Sequence, residues 1–153
     1  MLVADYLRQN KVVFEFCSHR PAFTAQHLAA EEHTPGMDVA KSVLVQADGK
    51  YYLCVLPACC KVDVDKLRQQ MAVNEVRLAT EKEMAQLFTD SELGAEPPFG
   101  SIYNITTILD QCLGKDGYLI CQAGTHEKAV RIALSDYIML VKPRILDFCY
   151  HLH

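Results

Sequence analysis

The chain has 153 residues, half of them apolar and 22% charged, with a formal net charge of −4. That length suits one domain spanning residues 1–153 with a sizeable core, and the composition excludes a disordered or fibrous protein. No apolar run approaches the roughly 20 residues of a membrane helix, and Met1–Tyr6 lacks the basic and apolar regions of a secretory leader. A cytoplasmic protein with no membrane partner is therefore expected, and the acidity argues against DNA, whose binding rests on phosphate neutralisation by Lys and Arg. Seven cysteines, at 17, 54, 59, 60, 112, 121 and 149, are odd in number and form no Cys-x-x-Cys. Several lie in apolar strand patterns, so they read as free, core-packing thiols.

In chain order, Leu2–Gln9 predicts a short helix and Val12–Cys17 a strand. Thr24 can cap a helix running to about Glu32, which Thr34-Pro35-Gly36 would stop. Val39–Gln46 and Lys50–Leu56 are β-rich and flank Asp48-Gly49, a strong type I′ hairpin turn. Asp63 then caps a helix carrying Val64, Leu67 and Met71 on one face. Val76–Leu78 is a short strand, and Thr80-Glu81-Lys82-Glu83 is a capping box opening a further helix with Met84, Leu87 and Phe88 inward.

Between Gly94 and Gly100 two prolines and two glycines fall within seven residues. Such a segment cannot be regular structure. Ile105–Leu109, Tyr118–Cys121 and Val130–Leu134 read as strands, and Ser135 or Asp136 opens a last helix that Pro143 ends. The Asp-Gly hairpin requires an antiparallel pair. The expected fold is a mixed α+β (α/β) domain with a curved, mainly antiparallel sheet or partly closed barrel and flanking helices, not a doubly wound parallel one.

Lys41 alternates with Val39, Val43 and Val45, which puts it on the more apolar face of its strand. It reads either as a lysine whose stem snorkels to water or as a cation held at a pocket rim. Gly94-x-x-x-Pro98 is by itself a surface turn, and His126 in Gly124-Thr125-His126 a loop histidine. Ser42 and Thr125 lack a Ser-His-acid arrangement, and there is no Gly-x-Ser-x-Gly elbow. Cys121, five residues before His126, offers a Cys–His nucleophile pair, although a strand cysteine is more often core. His19, His27 and His33 have no shared ligand spacing, and the cysteines add none, so no metal or other cofactor is expected.

Taken in order, the strand lysine Lys41-Ser42, the loop Gly94-Ala95-Glu96-Pro97-Pro98-Phe99-Gly100 and the turn Ala123-Gly124-Thr125-His126 resemble the YbaK/prolyl-tRNA-editing family of aminoacyl-tRNA deacylase domains. The resemblance covers roughly residues 12–147. It implies a YbaK-like fold and hydrolysis of a mischarged aminoacyl ester. It implies that Lys41 contacts the tRNA 3′ end, and that the Gly94–Pro98 loop lines the pocket and offers backbone N–H groups to the oxyanion. His126 would shape the amino-acid site, with the ribose hydroxyl and water carrying the proton transfer.

On this basis Lys41, Gly94, Pro98 and His126 are the candidate catalytic residues. Ser42, Pro97, Phe99, Gly100, Gly124, Thr125 and His19 are candidates for binding substrate, and Glu96 is given no role. The expected partner is an aminoacyl-tRNA acceptor end, with a prolyl-tRNA synthetase complex as a further one. An enzyme gripping only the tip of an RNA needs no basic surface everywhere, so the net charge is compatible. A small residue such as Ala, Cys or Ser on tRNA for proline is the expected substrate. Two other readings stay open: a non-catalytic module binding an RNA 3′ end or a synthetase, and a small-ester hydrolase working through Cys121.

Overall fold

A computed structural model describes residues 2–18, 36–125 and 128–151. The helix expected from Thr24 to Glu32 and the candidates His19 and His126 lie outside the described residues, as do His27 and His33. Helix α1 (Leu2–Gln9) is followed by β1 (Phe14–Ser18), then β2 (Ala40–Ala47), β3 (Lys50–Pro57) and β4 (Cys60–Val62). Helix α2 (Val64–Met71), β5 (Val76–Leu78) and α3 (Glu81–Leu87) lead into the Gly94–Gly100 loop. A 3₁₀ turn (Gly100–Tyr103), β6 (Thr106–Asp110), β7 (Tyr118–Gln122), β8 (Lys128–Ala133) and α4 (Leu134–Val141) come next, with β9 (Arg144–Leu146) and β10 (Cys149–His151) last. No helix among the described residues is long and apolar enough to cross a membrane.

The β2–β3 hairpin sets the register of the larger sheet. Asp48 (φ 48°) and Gly49 (φ 83°) both take positive φ, the pair of left-handed residues a type I′ turn needs. They bring Ala47 opposite Lys50 and Lys41 opposite Leu56. The Asp48 carboxyl also accepts the backbone N–H groups of Asn74 and Glu75, pinning the chain that enters β5. The resulting sheet has the order β5-β2-β3-β6-β9, with β3–β6 and β6–β9 parallel. A second sheet, β1-β8-β7, is antiparallel. A single bridge from Val39 to Ile120 links β7 to the start of β2. The expected curved, mainly antiparallel α+β architecture is thus what forms, and it is not closed.

Two buried clusters flank the larger sheet, and a smaller third gathers Val39, Ala58, Ile120 and Ala129. Leu44, Leu53, Val55, Leu119, Val130 and Tyr137 fill the space between the sheets. Val45, Cys54, Leu56, Leu67, Ile108 and Phe148 pack on the other side of the larger sheet, beneath α2. Asp63 caps α2 through its side chain, and Thr80 with Glu83 forms the capping box of α3. Glu83 further receives the Arg77 guanidinium (2.8 and 2.9 Å) and the Tyr51 hydroxyl. These bonds hold its carboxyl well below the usual range, the Arg77 contact contributing most.

Three short strands, β4, β9 and β10, were not expected from the sequence, and the last helix starts differently. Neither Ser135 nor Asp136 caps α4. Ala133 is the N-cap residue without a side-chain bond, and the Leu134 N–H instead reaches the Gly117 carbonyl at 3.0 Å. A tertiary acceptor takes over the work of a cap.

Candidate functional site

The Gly94–Pro98 loop and the Gly124–Thr125 turn, thirty residues apart in sequence, are locked together through their backbones. The Glu92 N–H donates to the Gly124 carbonyl (2.8 Å), and the Gly124 N–H donates to the Ala95 carbonyl (3.1 Å). Gly124 makes both bonds at φ 94° and Gly94 turns at φ 89°, backbone that a side chain would strain. Between loop and turn lies a cleft of about 330 Å³ whose walls include Pro97, Gly124, Thr125, Asp90, Tyr103 and Lys128. The Thr125 hydroxyl is buried and finds no hydrogen-bond partner among the described residues. Tyr103 donates to Asp90 at 3.2 Å, and its phenol is pushed up to about 12, chiefly by burial.

Other residues hold the loop from beneath. Phe99 is fully buried and packs edge-on against Tyr6 and Tyr137, with ring centroids 5.9 and 5.5 Å apart. The Tyr137 hydroxyl donates to the Pro98 carbonyl at 2.5 Å. Gly100 donates its N–H to the Thr107 hydroxyl (3.0 Å), and a Cβ there would stand 2.4 Å from both that oxygen and the Ile105 carbonyl. Phe99 and Gly100 therefore position the loop from the core side.

Glu96 is the residue that the sequence reading passed over. It is only 7% exposed; its side chain accepts the Gly94 N–H (3.0 Å) and its carbonyl accepts the Ser42 hydroxyl (3.0 Å). A carboxyl two residues from a glycine was the available signal, since such a side chain can fold back on the backbone of its own turn. The bond has a second consequence. The Ala95 N–H is already donated to the Glu92 carbonyl and Pro97 and Pro98 have no N–H. Among the described residues, the Glu96 N–H is then the backbone donor left over between Gly94 and Pro98.

Lys41 stands apart from this group. Ser42 bonds the loop, and successive strand residues point to opposite faces, so Lys41 is turned to the other side of β2. There it is half-buried, with Cys59, Cys60, Lys61 and Cys149 within electrostatic reach. Burial is the main cause that lowers its pKa below the ordinary lysine value. The structure thus assembles Ser42, Gly94, Pro97, Pro98, Gly124 and Thr125 on one side of the strand and leaves Lys41 at its opposite face.

The cysteines carry free thiols. Cys121 is fully buried in the inter-sheet core, and desolvation pushes its thiol far above the ordinary range, which makes a thiolate nucleophile there unfavourable. No group of three or more His, Cys, Asp or Glu side chains that could hold a metal ion occurs among the described residues.

The chain thus carries a curved α+β sheet with a glycine-proline loop clamped to a glycine turn. The chain belongs to the aminoacyl-tRNA editing domain family, whose model matches residues 19–140. No curated protein matches the sequence. Among solved structures, hypothetical protein APE2540 superposes with a TM-score of 0.88 at 18% identity, over 98% of this chain and 100% of the other. A protein solved as a candidate trans-editing enzyme for prolyl-tRNA synthetase gives 0.83 at 19% identity, over 97% and 95%. At these identities the two structures speak to the fold.

Proposed function

We propose that the protein is a free-standing, single-domain deacylase that acts in trans on mischarged aminoacyl-tRNA. It would remove a small amino acid such as Ala, Cys or Ser, with tRNA for proline as the first candidate and a prolyl-tRNA synthetase as its neighbour. The observation that carries the reading is the backbone lock between the Gly94–Pro98 loop and Gly124, in a chain of the aminoacyl-tRNA editing family. A fixed loop whose Glu96 N–H is uncommitted among the described residues suits a reaction whose demand is placement.

The ester of an aminoacyl-tRNA is already activated. Water adds to its carbonyl, the oxyanion is stabilised by a positioned donor, and the ribose oxygen leaves with a proton. Backbone donors serve here without any side-chain nucleophile. In this account the Glu96 N–H is the loop's donor, while Gly94, Pro97 and Pro98 form the wall and Ser42 braces it. Phe99 and Gly100 support the loop from below. Gly124 and Thr125 bound the amino-acid side, the family resemblance adds His126 there and His19 at the pocket entrance, and Lys41 holds the RNA end. The neighbouring ribose hydroxyl, a group DNA lacks, takes part in proton transfer. No cofactor is required. A synthetase pocket discriminates a missing methylene by only ~1–3 kcal/mol, which is why a second hydrolytic site is needed.

The occupied Gly94 and Ala95 donors favour a second reading, a non-catalytic module that binds an RNA 3′ end or a synthetase. A panel of Ala-, Cys-, Ser- and Thr-charged tRNAs, including tRNA for proline, separates the two. Accelerated loss of at least one ester is expected. Decay of every ester at its buffer rate would reject the hydrolase and leave the binding module.

A further inference from the structure

Sulfur gathers on the α2 side of the larger sheet, where Met37 and Cys59 pack against the cluster that contains Cys60. Cys59 lies in the turn before β4, where strand alternation does not apply, and its Sγ stands 4.0 Å from that of Cys60. The same thiol donates to the Met37 thioether at 3.1 Å. Cys60 is buried, whereas Cys59 and Met37 are half-buried and leave a way in from solvent. None of the three belongs to the Gly94–Gly124 cleft.

The backbone holds this arrangement ready. The Ala58 N–H donates to the Gly36 carbonyl (3.1 Å), and the Gly114 N–H donates to the Met37 carbonyl (3.1 Å). A Cβ on Gly36 would stand 3.0 Å from Cys59 Cβ, so a glycine lets the chain bring Met37 this close. On the far side the Cys60 thiol is bonded to the Cys149 thiol, and Cys149 to Asp110. Such outer contacts orient a metal ligand.

Two thiols and a thioether in contact form a soft donor set. A thioether suits Cu(I), whereas the protein ligands of zinc are Cys, His, Asp and Glu. Metal–sulfur bonds of about 2.3 Å in a three-coordinate plane set the sulfurs about 4.0 Å apart, the spacing that Cys59 and Cys60 already have. The flexible Met37 side chain has to retreat from Cys59 by only about 0.9 Å to join them. Charge fits as well. Two copper–thiolate bonds form as two protons leave, so the ion and its thiolates together carry one negative charge. Lys41 and its neighbour Lys61 set two ammonium groups beside the cluster, against the single carboxylate of Asp110.

We propose that Met37, Cys59 and Cys60 form a three-coordinate site for a cuprous ion. The proposal does not rest on the editing reading.

The test is titration of the reduced full chain with Cu(I) under argon, in competition with a cuprous chelator. One ion per chain should bind, with an ultraviolet thiolate-to-copper band and release of two protons in weak buffer. Cys59→Ser should weaken binding by at least about a hundredfold, since losing a ligand exceeds the 10–100-fold cost of losing an outer contact. Met37→Leu, which conserves volume, should weaken it by about tenfold or more while the thermal unfolding curve stays in place. Cys112→Ser, away from the cluster, should bind as the unaltered protein does, and Zn(II) should not displace the bound Cu(I). Unchanged affinity in Cys59→Ser or in Met37→Leu overturns the proposal. Equal loss in Cys112→Ser, or displacement by Zn(II), overturns it too.

Discussion

Glu96→Ala tests how the loop is built. The substitution removes the acceptor 3.0 Å from the Gly94 N–H and empties the space of the side chain of a buried residue. Gly94 itself is exposed, so water can replace the lost acceptor, and the hydrogen-bond loss falls near the net value of ~1 kcal/mol rather than the full desolvation cost. Lost packing of the side-chain methylenes brings the total to about 1–2 kcal/mol. In a domain of this size that lowers Tm by about 3–8 °C. If the same energy is what holds the loop in its working geometry, kcat/KM for a mischarged tRNA falls about five- to thirtyfold.

Glu96→Gln retains an oxygen at the acceptor position and should stay within about threefold of the unaltered rate, since the bond to Gly94 survives. The pair is measured by thermal unfolding and by deacylation under subsaturating enzyme. Unchanged activity in Glu96→Ala, or equal damage by Gln and Ala, would refute the positioning role.

Three further outcomes follow from the geometry. Gly100→Ala forces a Cβ to 2.4 Å from the Ile105 carbonyl and the Thr107 hydroxyl, so a loss of at least ~3 kcal/mol and a Tm lower by about 6–12 °C are expected by calorimetry. Lys41 has a pKa lowered from 10.5 by burial; if its cation holds phosphate, RNA affinity should fall as pH rises through a value below 10.5, and Lys41→Arg should extend binding to higher pH. Asp38 is buried, and burial, followed by the neighbouring Asp116 carboxyl, raises its pKa from 3.8. The folded state then holds a proton that the unfolded state releases, so stability falls as pH rises from about 3.8 to the folded pKa and levels above it. Denaturant titrations across that range should show the fall in the unaltered protein and its absence in Asp38→Asn.

Local chemistry made part of the molecule legible. Asp48-Gly49, Asp63 and the Thr80–Glu83 box act through bonds within a few residues, and each forms as its sequence implies. The β4–β10 ribbon was not legible, because each strand is three residues long and finds its partner across almost ninety positions. No periodicity can develop over so short a run. The parallel pairing of β3 with β6 is likewise a tertiary outcome, and so is the Gly117 carbonyl that displaces Ser135 and Asp136 from capping α4.

At the site, the order of Lys41, the glycine-proline loop and Gly124-Thr125 pointed to the family. It could not reveal that Gly124 is bonded by backbone to residues 92 and 95, since backbone bonds leave no side-chain signature. Nor could it show which face of β2 meets the loop. Alternation separates Lys41 from Ser42, but only the packing decides which of the two sides the loop covers.

The central claim is that the site hydrolyses the wrong ester and spares the right one. Alanyl-tRNA and prolyl-tRNA, both made on tRNA for proline, should be followed side by side as each ester decays with excess protein and in buffer alone. The account predicts that the alanyl ester disappears at least about tenfold faster than in buffer, a barrier lowered by ~1.4 kcal/mol or more, while the prolyl ester keeps its buffer rate. Equal decay of both esters with protein present, whether at the buffer rate or faster, would contradict it.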